Sequence, residues 1–321
     1  MDEFDLIRRY FAPLASSPGA DGLRDVVAEI QPGLIATKDA IVEGIHFLPD
    51  DPISTVAQKL VRVNVSDIIA KGGKPDAALL ALVWPKGRAS EQLGDFARAL
   101  GADLARWDAH LVGGDTTSTS GPLTLSLTLL GRVGGRGPVR RSGARVGDDV
   151  WMSGTIGDGA LGLMAAQGAF GKLSAEASNL LVSRYRVPEP PRLAFADLVA
   201  AYANGAVDIS DGLVADAGHV AEASGVRIVI RAGDVPLSAV GSAYVSNAKV
   251  ELKKLLTGGD DYQTLFTAPL SARAEIERAG QVVTRIGFVE AGVGVQVLDA
   301  SGGAMAFERA GWKHFQGPGE A

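Results

Sequence analysis

Aspartate dominates the chemistry this chain can do. The 321 residues include 24 Asp against 13 Glu. Asp favours caps, turns and metal sites over helix interiors. Eight of them stand in glycine-rich or polar segments: Asp25, Asp39, Asp67, Asp115, Asp208, Asp211, Asp260 and Asp261. Hard carboxylate oxygens of this kind suit Mg²⁺, which bridges carboxylates to phosphate oxygens. Neither glycine fingerprint for phosphate is present, so a nucleotide bound here needs another cradle. Cysteine is absent and there are four His. Thiol nucleophiles, Cys-ligated metals and disulfide frameworks are therefore excluded, and a His-rich metal site is disfavoured. No Ser/His/Asp triad emerges from spacing.

Each motif has a plain reading beside its chemical one. Gly113-Gly114-Asp115 follows the apolar pair Leu111-Val112. The glycines would let a backbone approach a ligand with Asp115 at a strand exit, or the segment is a simple turn. Asn64 and Asp67, three apart at the end of a helical pattern, share a face that is either functional or merely solvated. In Asp208-Ile-Ser-Asp-Gly-Leu213, Asp211 is explained by an N-cap, while Asp208 and Ser210 are not. Gly258-Gly259-Asp260-Asp261-Tyr262 precedes a strand and is a polar turn or a contact loop. Arg140 and Arg141 are a phosphate clamp or a solvated basic turn. His46 is a packed histidine or a ligand, and Trp312 a C-terminal staple or a stacking face.

These residues need a scaffold, and the chain is long enough for about two domains. Hydrophobic residues make up 46% and charged residues 21%, which excludes wholesale disorder. The net charge of −6 disfavours a nucleic-acid face. No run of 18 apolar residues signals a membrane span, and the acidic start lacks a signal peptide, so a cytoplasmic protein is expected. Apolar periodicity predicts helices over 52–70, 90–107, 157–167, 190–203, 211–224 and 271–279. Strands are predicted over 33–39, 77–83, 123–133, 149–154, 227–231, 262–268, 284–289 and 293–298. The alternation indicates an α/β (α+β) protein of two domains, 1–137 and 138–321, divided at the Gly- and Arg-rich stretch 134–148.

Taken in order, KDAIVEGIHF, VNVSDIIAKGG, GGDTTS, RRSGARVGD, SGTIGDGALGL, DISDGL and GGDDY make the chain resemble thiamine-monophosphate kinase, of the aminoimidazole ribonucleotide synthetase and selenophosphate synthetase superfamily. The resemblance runs from about residue 4 to 315. It implies Mg²⁺-dependent transfer (several ions) of the γ-phosphoryl group of ATP to thiamine phosphate. It also implies a homodimer in which the N-terminal domain contributes strands to a β-barrel, and a C-terminal α/β domain closing over nucleotide and substrate. By the same resemblance, Asp25, Asp39, Asp67, Asp115, Asp208 and Asp211 match metal positions. Gly114, Asp115, Arg141 and Ser210 match nucleotide contacts, and His46, Asp260 and Trp312 match thiamine phosphate contacts. No general base is assigned, because the nucleophile is already an anionic phosphate oxygen. The alternatives are a catalytically weak or inactive nucleotide-binding homologue, or another ATP-using relative such as aminoimidazole ribonucleotide synthetase.

Three positions depart from the family pattern. Val26 stands where a second Asp is usual, Thr37-Lys38 where Ser-Thr is usual, and Asp260 where Glu is usual. If the strand runs through Asp39, Lys38 points away from the site. If it ends at Thr37, the ammonium can enter and stand in for a cation.

Overall fold

The computed structural model describes residues 3–170, 175–247 and 250–311. Its first half contains α1 (Glu3–Leu6), β1 (Ala28–Gln31), β2 (Leu34–Val42), α2 (Ile53–Ala70), β3 (Lys74–Pro85), α3 (Ser90–Arg106), β4 (His110–Thr119) and β5 (Thr124–Arg132). Its second half contains β6 (Asp148–Ser153), α4 (Asp158–Ala166), α5 (Ala175–Arg186), α6 (Ala194–Tyr202), β7 (Gly205–Ile209), α7 (Leu213–Ser224) and β8 (Arg227–Arg231). There follow α8 (Ala239–Ser246), α9 (Leu252–Leu256), β9 (Gln263–Pro269), α10 (Arg273–Arg278), β10 (Val283–Glu290) and β11 (Gly294–Leu298). The strands form a five-stranded sheet, β1-β2-β5-β3-β4, and a six-stranded sheet, β11-β8-β10-β6-β9-β7. The protein is thus a mixed α/β fold of two domains.

Period-2 alternation builds the first sheet. Leu125, Leu127 and Leu129 of β5, with Leu123 before it, are buried in the core. Thr124, Ser126 and Thr128 occupy the opposite face. β2 runs through Asp39 to Val42, so Lys38 and Asp39 project oppositely. Lys38 is exposed, its Nζ 3.5 Å from Thr128 Oγ1. Of the two alternatives for Lys38, the structure shows the outward one, because β2 does not stop at Thr37.

Helix α2 sits between the two sheets. Its apolar stripe, including Val56, Leu60 and Val61, enters the core under β2 and β5. Its polar side chains Lys59, Arg62, Asn64, Ser66 and Asp67 are buried as well, because α2 also packs on β7 and β9. The helix ends in a Schellman turn: Gly72 N donates to Ile69 O and Gly73 N to Ile68 O, both at 2.9 Å. Gly72 has φ +74°, and a Cβ there would meet Ala200 at 3.0 Å. This turn fixes Asp67 and Lys71, one helical turn apart, at the helix C-terminus.

Several elements differ from expectation. The segment Gly113–Ser118 is not a turn; it lies within β4. A Cβ on Gly114 (φ +154°) would come 2.0 Å from Leu80 O, so glycine permits the close pairing of β4 with β3. β7 was not anticipated as a strand, being only five fully buried residues, and α5 and α8 were not anticipated as helices. β3 extends through Trp84-Pro85 rather than ending before them.

Candidate functional site

Three carboxylates from separate segments converge where the two sheets meet across α2. Asp39 comes from β2, Asp67 from the last turn of α2, and Asp208 from β7. Thr37 Oγ1 lies 2.5 Å from Asp67 Oδ2, and Ser66 Oγ donates to Asp208 Oδ2 at 3.2 Å. Asn64 Oδ1 accepts the Asp39 amide at 3.1 Å while its Nδ2 donates to Leu60 O, so Asn64 anchors β2 to α2. Asp67 and Asp208 are close enough that each perturbs the other's ionisation.

The electrostatics of this nest are unfavourable for an empty site. Burial, with repulsion from Asp208 and Asp211, pushes Asp39 up to about 7. Burial and the charges of Asp208 and Asp39 push Asp67 well above the usual carboxylate range, and burial raises Asp208. Asp67 also faces the negative end of the α2 dipole. Carboxylates crowded in this way fit a divalent cation, which would remove the repulsion between them.

Asp211 does not cap α7. The N-cap position is Gly212, with no side-chain cap bond. Asp216, within the helix, accepts the amides of Ser210, Asp211 and Gly212 at 3.0, 3.0 and 3.1 Å. That carboxylate holds the Ser210–Gly212 loop in shape, and sequence reasoning passed over it. The loop also carries the Asp260 segment: Asp260 N donates to Ser210 O and Tyr262 N to Ile209 O. A Cβ on Gly259 would lie 2.6 Å from Ser210 O. Asp260 itself takes φ +72°, an uncommon region for a residue with a Cβ. Asp261 turns away to accept the amides of Gly157 and Gly159 at the start of α4.

His46 and Asp260 meet through a residue that the sequence reading passed over. Lys59, on α2 and 1% exposed, donates to His46 O at 2.9 Å and Asp260 Oδ2 at 3.0 Å. Its ammonium lies 4.3 Å from the centroid of the Tyr185 ring. Tyr262 Oη donates to Asp260 Oδ1 at 3.2 Å, and His46 Nδ1 accepts the Val42 amide at 3.1 Å. Asp260 also lines a cavity of ≈ 680 Å³ that Trp107, Asp158 and Glu189 border.

Arg141 stands beside the nest. Its charge lowers the pKa of Asp208, Asp25 and His219, the last of which burial and Arg141 together bring to about 4. Its buried Nε has no hydrogen-bond partner, an orphan that an anionic phosphate oxygen fits.

Three sequence-predicted residues lie apart from the nest, and one is outside the description. Asp25 is enclosed by a buried ion pair: Lys71 Nζ is 2.7 Å from Asp25 Oδ1, and the two side chains are 0% and 1% exposed. Burial alone would raise Asp25, but Lys71 and Arg141 hold it below the usual range. Burial lowers Lys71, and Asp25 pulls against that. Asp115 and Gly114 sit on the exposed edge strand β4, with β3 and β5 between them and β2. By register Asp115 shares a face with Ala81, Ser126 and Ala40, opposite to Asp39. Trp312 lies outside the described residues. Gly311 before it packs on the loop, where an added Cβ would lie 2.6 Å from Asp211 O.

This two-sheet arrangement around a carboxylate nest matches a known class. The model of AIR synthase related protein, N-terminal domain, matches residues 24–133, and that of the C-terminal domain matches residues 145–299. Thiamine-monophosphate kinase of Caulobacter vibrioides is 40% identical, over 97% of this chain and 90% of its own length. The enzyme of that name from Escherichia coli K12 is 34% identical over 98% and 99%. Among solved structures, AaThiL complexed with AMPPCP and TMP superposes with a TM-score of 0.86 at 35% identity, covering 98% of this chain and 97% of that one. The chain belongs to the thiamine-monophosphate kinase family of AIR synthase related proteins. Among the described residues, no helix is long and apolar enough to cross a membrane.

Proposed function

We propose that this chain transfers the γ-phosphoryl group of ATP to thiamine phosphate, giving thiamine diphosphate and ADP. A terminal oxygen of thiamine phosphate forms the new P–O bond as the β–γ bridging P–O bond breaks, and the electron pair leaves with ADP. The observation that carries the reading is the convergence of Asp39, Asp67 and Asp208, buried together against Arg141 with its orphaned Nε. Phosphoryl transfer asks a protein mainly for positioning and charge neutralisation. Asp39, Asp67, Asp208 and Asp211 would hold Mg²⁺, with Asp115 a further candidate. Mg²⁺, when bound, supplies charge neutralisation between carboxylate and phosphate oxygens. Arg141 and the Ser210–Gly212 loop orient nucleotide phosphates. Lys59 fixes His46 and Asp260, whose polar atoms orient thiamine phosphate. None of these residues needs to remove a proton from the nucleophile.

The same proposal includes a cytoplasmic homodimer built on the first sheet. Strand β4 is an unpaired edge, and Leu79, Leu111 and Val112 are 41%, 51% and 61% exposed. An apolar edge of this kind favours pairing with a second copy. Closing two such sheets into a barrel would let Gly114 and Asp115 serve the partner's nucleotide, since Asp115 faces away from Asp39 in its own chain.

ADP release tests the chemistry. Release that rises with thiamine phosphate and saturates supports it; release indifferent to thiamine phosphate refutes it. Mixing inactive Asp67→Asn and Asp115→Asn chains tests the shared site. In a 1:1 mixture about half of the dimers are heterodimers with one intact site of two, so the mixture should recover about a quarter of wild-type activity if Asp115 acts across the interface, and none if it acts within its own chain.

A further inference from the structure

The Asp25 carboxylate, set apart from the nest, is already neutralised from within. Asp25 Oδ1 accepts from the Val26 amide at 2.8 Å and faces Lys71 Nζ at 2.7 Å. Its Oδ2 accepts the Arg141 amide at 3.0 Å. The ammonium is fully buried and also donates to Ala206 O at 2.5 Å. Ala206 is two residues before Asp208 on β7.

The helix geometry makes this cation a fixture. Lys71 is the C-cap of α2, four residues after Asp67, so the two side chains leave the same face. A cation there is favoured by the helix dipole that disfavours Asp67. The Schellman glycines behind it, Gly72 against Ala200 and Gly73 against Ile35 and Ile68, leave the backbone no room to swing the side chain out. A divalent ion on Asp25 would have to lie against the ammonium or expel it, orphaning Ala206 O.

We propose that Lys71 permanently occupies the counter-ion position of Asp25, so that Asp25 binds no divalent ion and the cleft loads its Mg²⁺ without it. This rests on the reading that the nest of Asp39, Asp67 and Asp208 takes divalent ions with ATP. The charge of Lys71 also reaches Asp208, so the same ammonium balances part of the nest itself.

Mn²⁺ counting on the full chain in the presence of AMPPCP tests this, with free Mn²⁺ read by electron paramagnetic resonance. The informative variant is Asp25→Asn combined with Lys71→Met, a neutral pair of nearly the same shape that keeps the buried space filled. It should bind as many Mn²⁺ per chain as wild type, with half-saturation shifted less than about threefold, well below the 10–100-fold that loss of a partner to a metal site costs. Asp25→Asn alone, which leaves Lys71 bonded to Ala206 O, should bind the same number. Loss of one Mn²⁺ in both variants, or a tenfold or greater weakening, overturns the proposal and makes Asp25 a ligand. No Mn²⁺ binding by wild type would refute the nest itself, which is a different failure.

Discussion

The Asp260 cluster and the Asp39 nest solve the burial of charge in opposite ways. At the Asp260 end the Asp260 carboxylate has a cation: Lys59 is shared between Asp260, His46 O and the Tyr185 ring, while Asp261 beside it is held by the Gly157 and Gly159 amides. At the Asp39 end three carboxylates are pressed together; burial raises each of them, and repulsion from neighbouring carboxylates adds to the rise of Asp39 and Asp67. The paired end has its contacts in place before anything binds, which suits selection of a substrate by shape and contact. The unpaired end stores repulsion, which suits binding that depends on cations arriving with phosphate. Stability and function are therefore aligned at one end and opposed at the other.

The largest effect is expected where the repulsion is stored. Asp67→Asn should lower turnover by at least about 10³-fold without lowering the melting temperature, since the amide keeps a partner in Thr37 and relieves a buried like-charge contact. A folded Asp67→Asn protein with near-normal turnover would break the contrast between the two ends. The paired end should respond in the other sense. Lys59→Met leaves Asp260 without its cation, so stability should fall and KM for thiamine phosphate rise about tenfold, as truncation of a paired charge does, with KM for ATP little changed. Equal rises in both values would reduce Lys59 to a packing residue.

The sequence carried much of this division. Strict alternation in Leu123–Leu129 and the helical period of 53–61 were legible, and with them the first sheet and its covering helix. Asp39, Asp67 and Asp208 were legible among eight aspartates in glycine-rich or polar segments, and the family resemblance is what marked them as metal positions. Lys59, Lys71 and Asp216 did not stand out. A lysine or an aspartate on a helix reads as a solvated face until a second sheet is known to cover that face, and the covering of α2 by β7 and β9 is a tertiary fact. β4 was obscured for a local reason: Gly113-Gly114 has turn composition, while its glycines serve a strand pressed against Leu80 O.

A pH series sharpens the comparison further. An aspartate whose folded pKa lies at about 7 against an unfolded value of 3.8 holds its proton in the folded state only. Stability then falls as pH rises from about 4 through about 7, because the folded state binds more protons there. Asp39→Asn should remove part of that fall and raise the metal-free melting temperature at pH 8 by about 2–4 °C. The Asp25–Lys71 pair, with Asp25 held low, contributes the reverse slope only in acid, as pH falls below the ordinary carboxylate value. A metal-free melting temperature at pH 8 that is unchanged or lower in Asp39→Asn would contradict the stored repulsion. The smallest effect belongs to Lys38→Thr: facing Thr128, it should change stability by less than about 0.5 kcal/mol and leave turnover alone. A marked change in Mg²⁺ demand would place that ammonium in the site after all.

The most direct test of stored repulsion as a cation-loading device is the melting temperature at pH 8, with and without Mg²⁺ and AMPPCP together, in wild type and Asp39→Asn. Ligands at about 100 times their dissociation constant stabilise a folded protein by about 2.7 kcal/mol. Wild type should gain several degrees only when both are present, and Asp39→Asn should start higher and gain little. An equal gain in the two proteins, or a full gain in wild type from AMPPCP without Mg²⁺, would contradict the account.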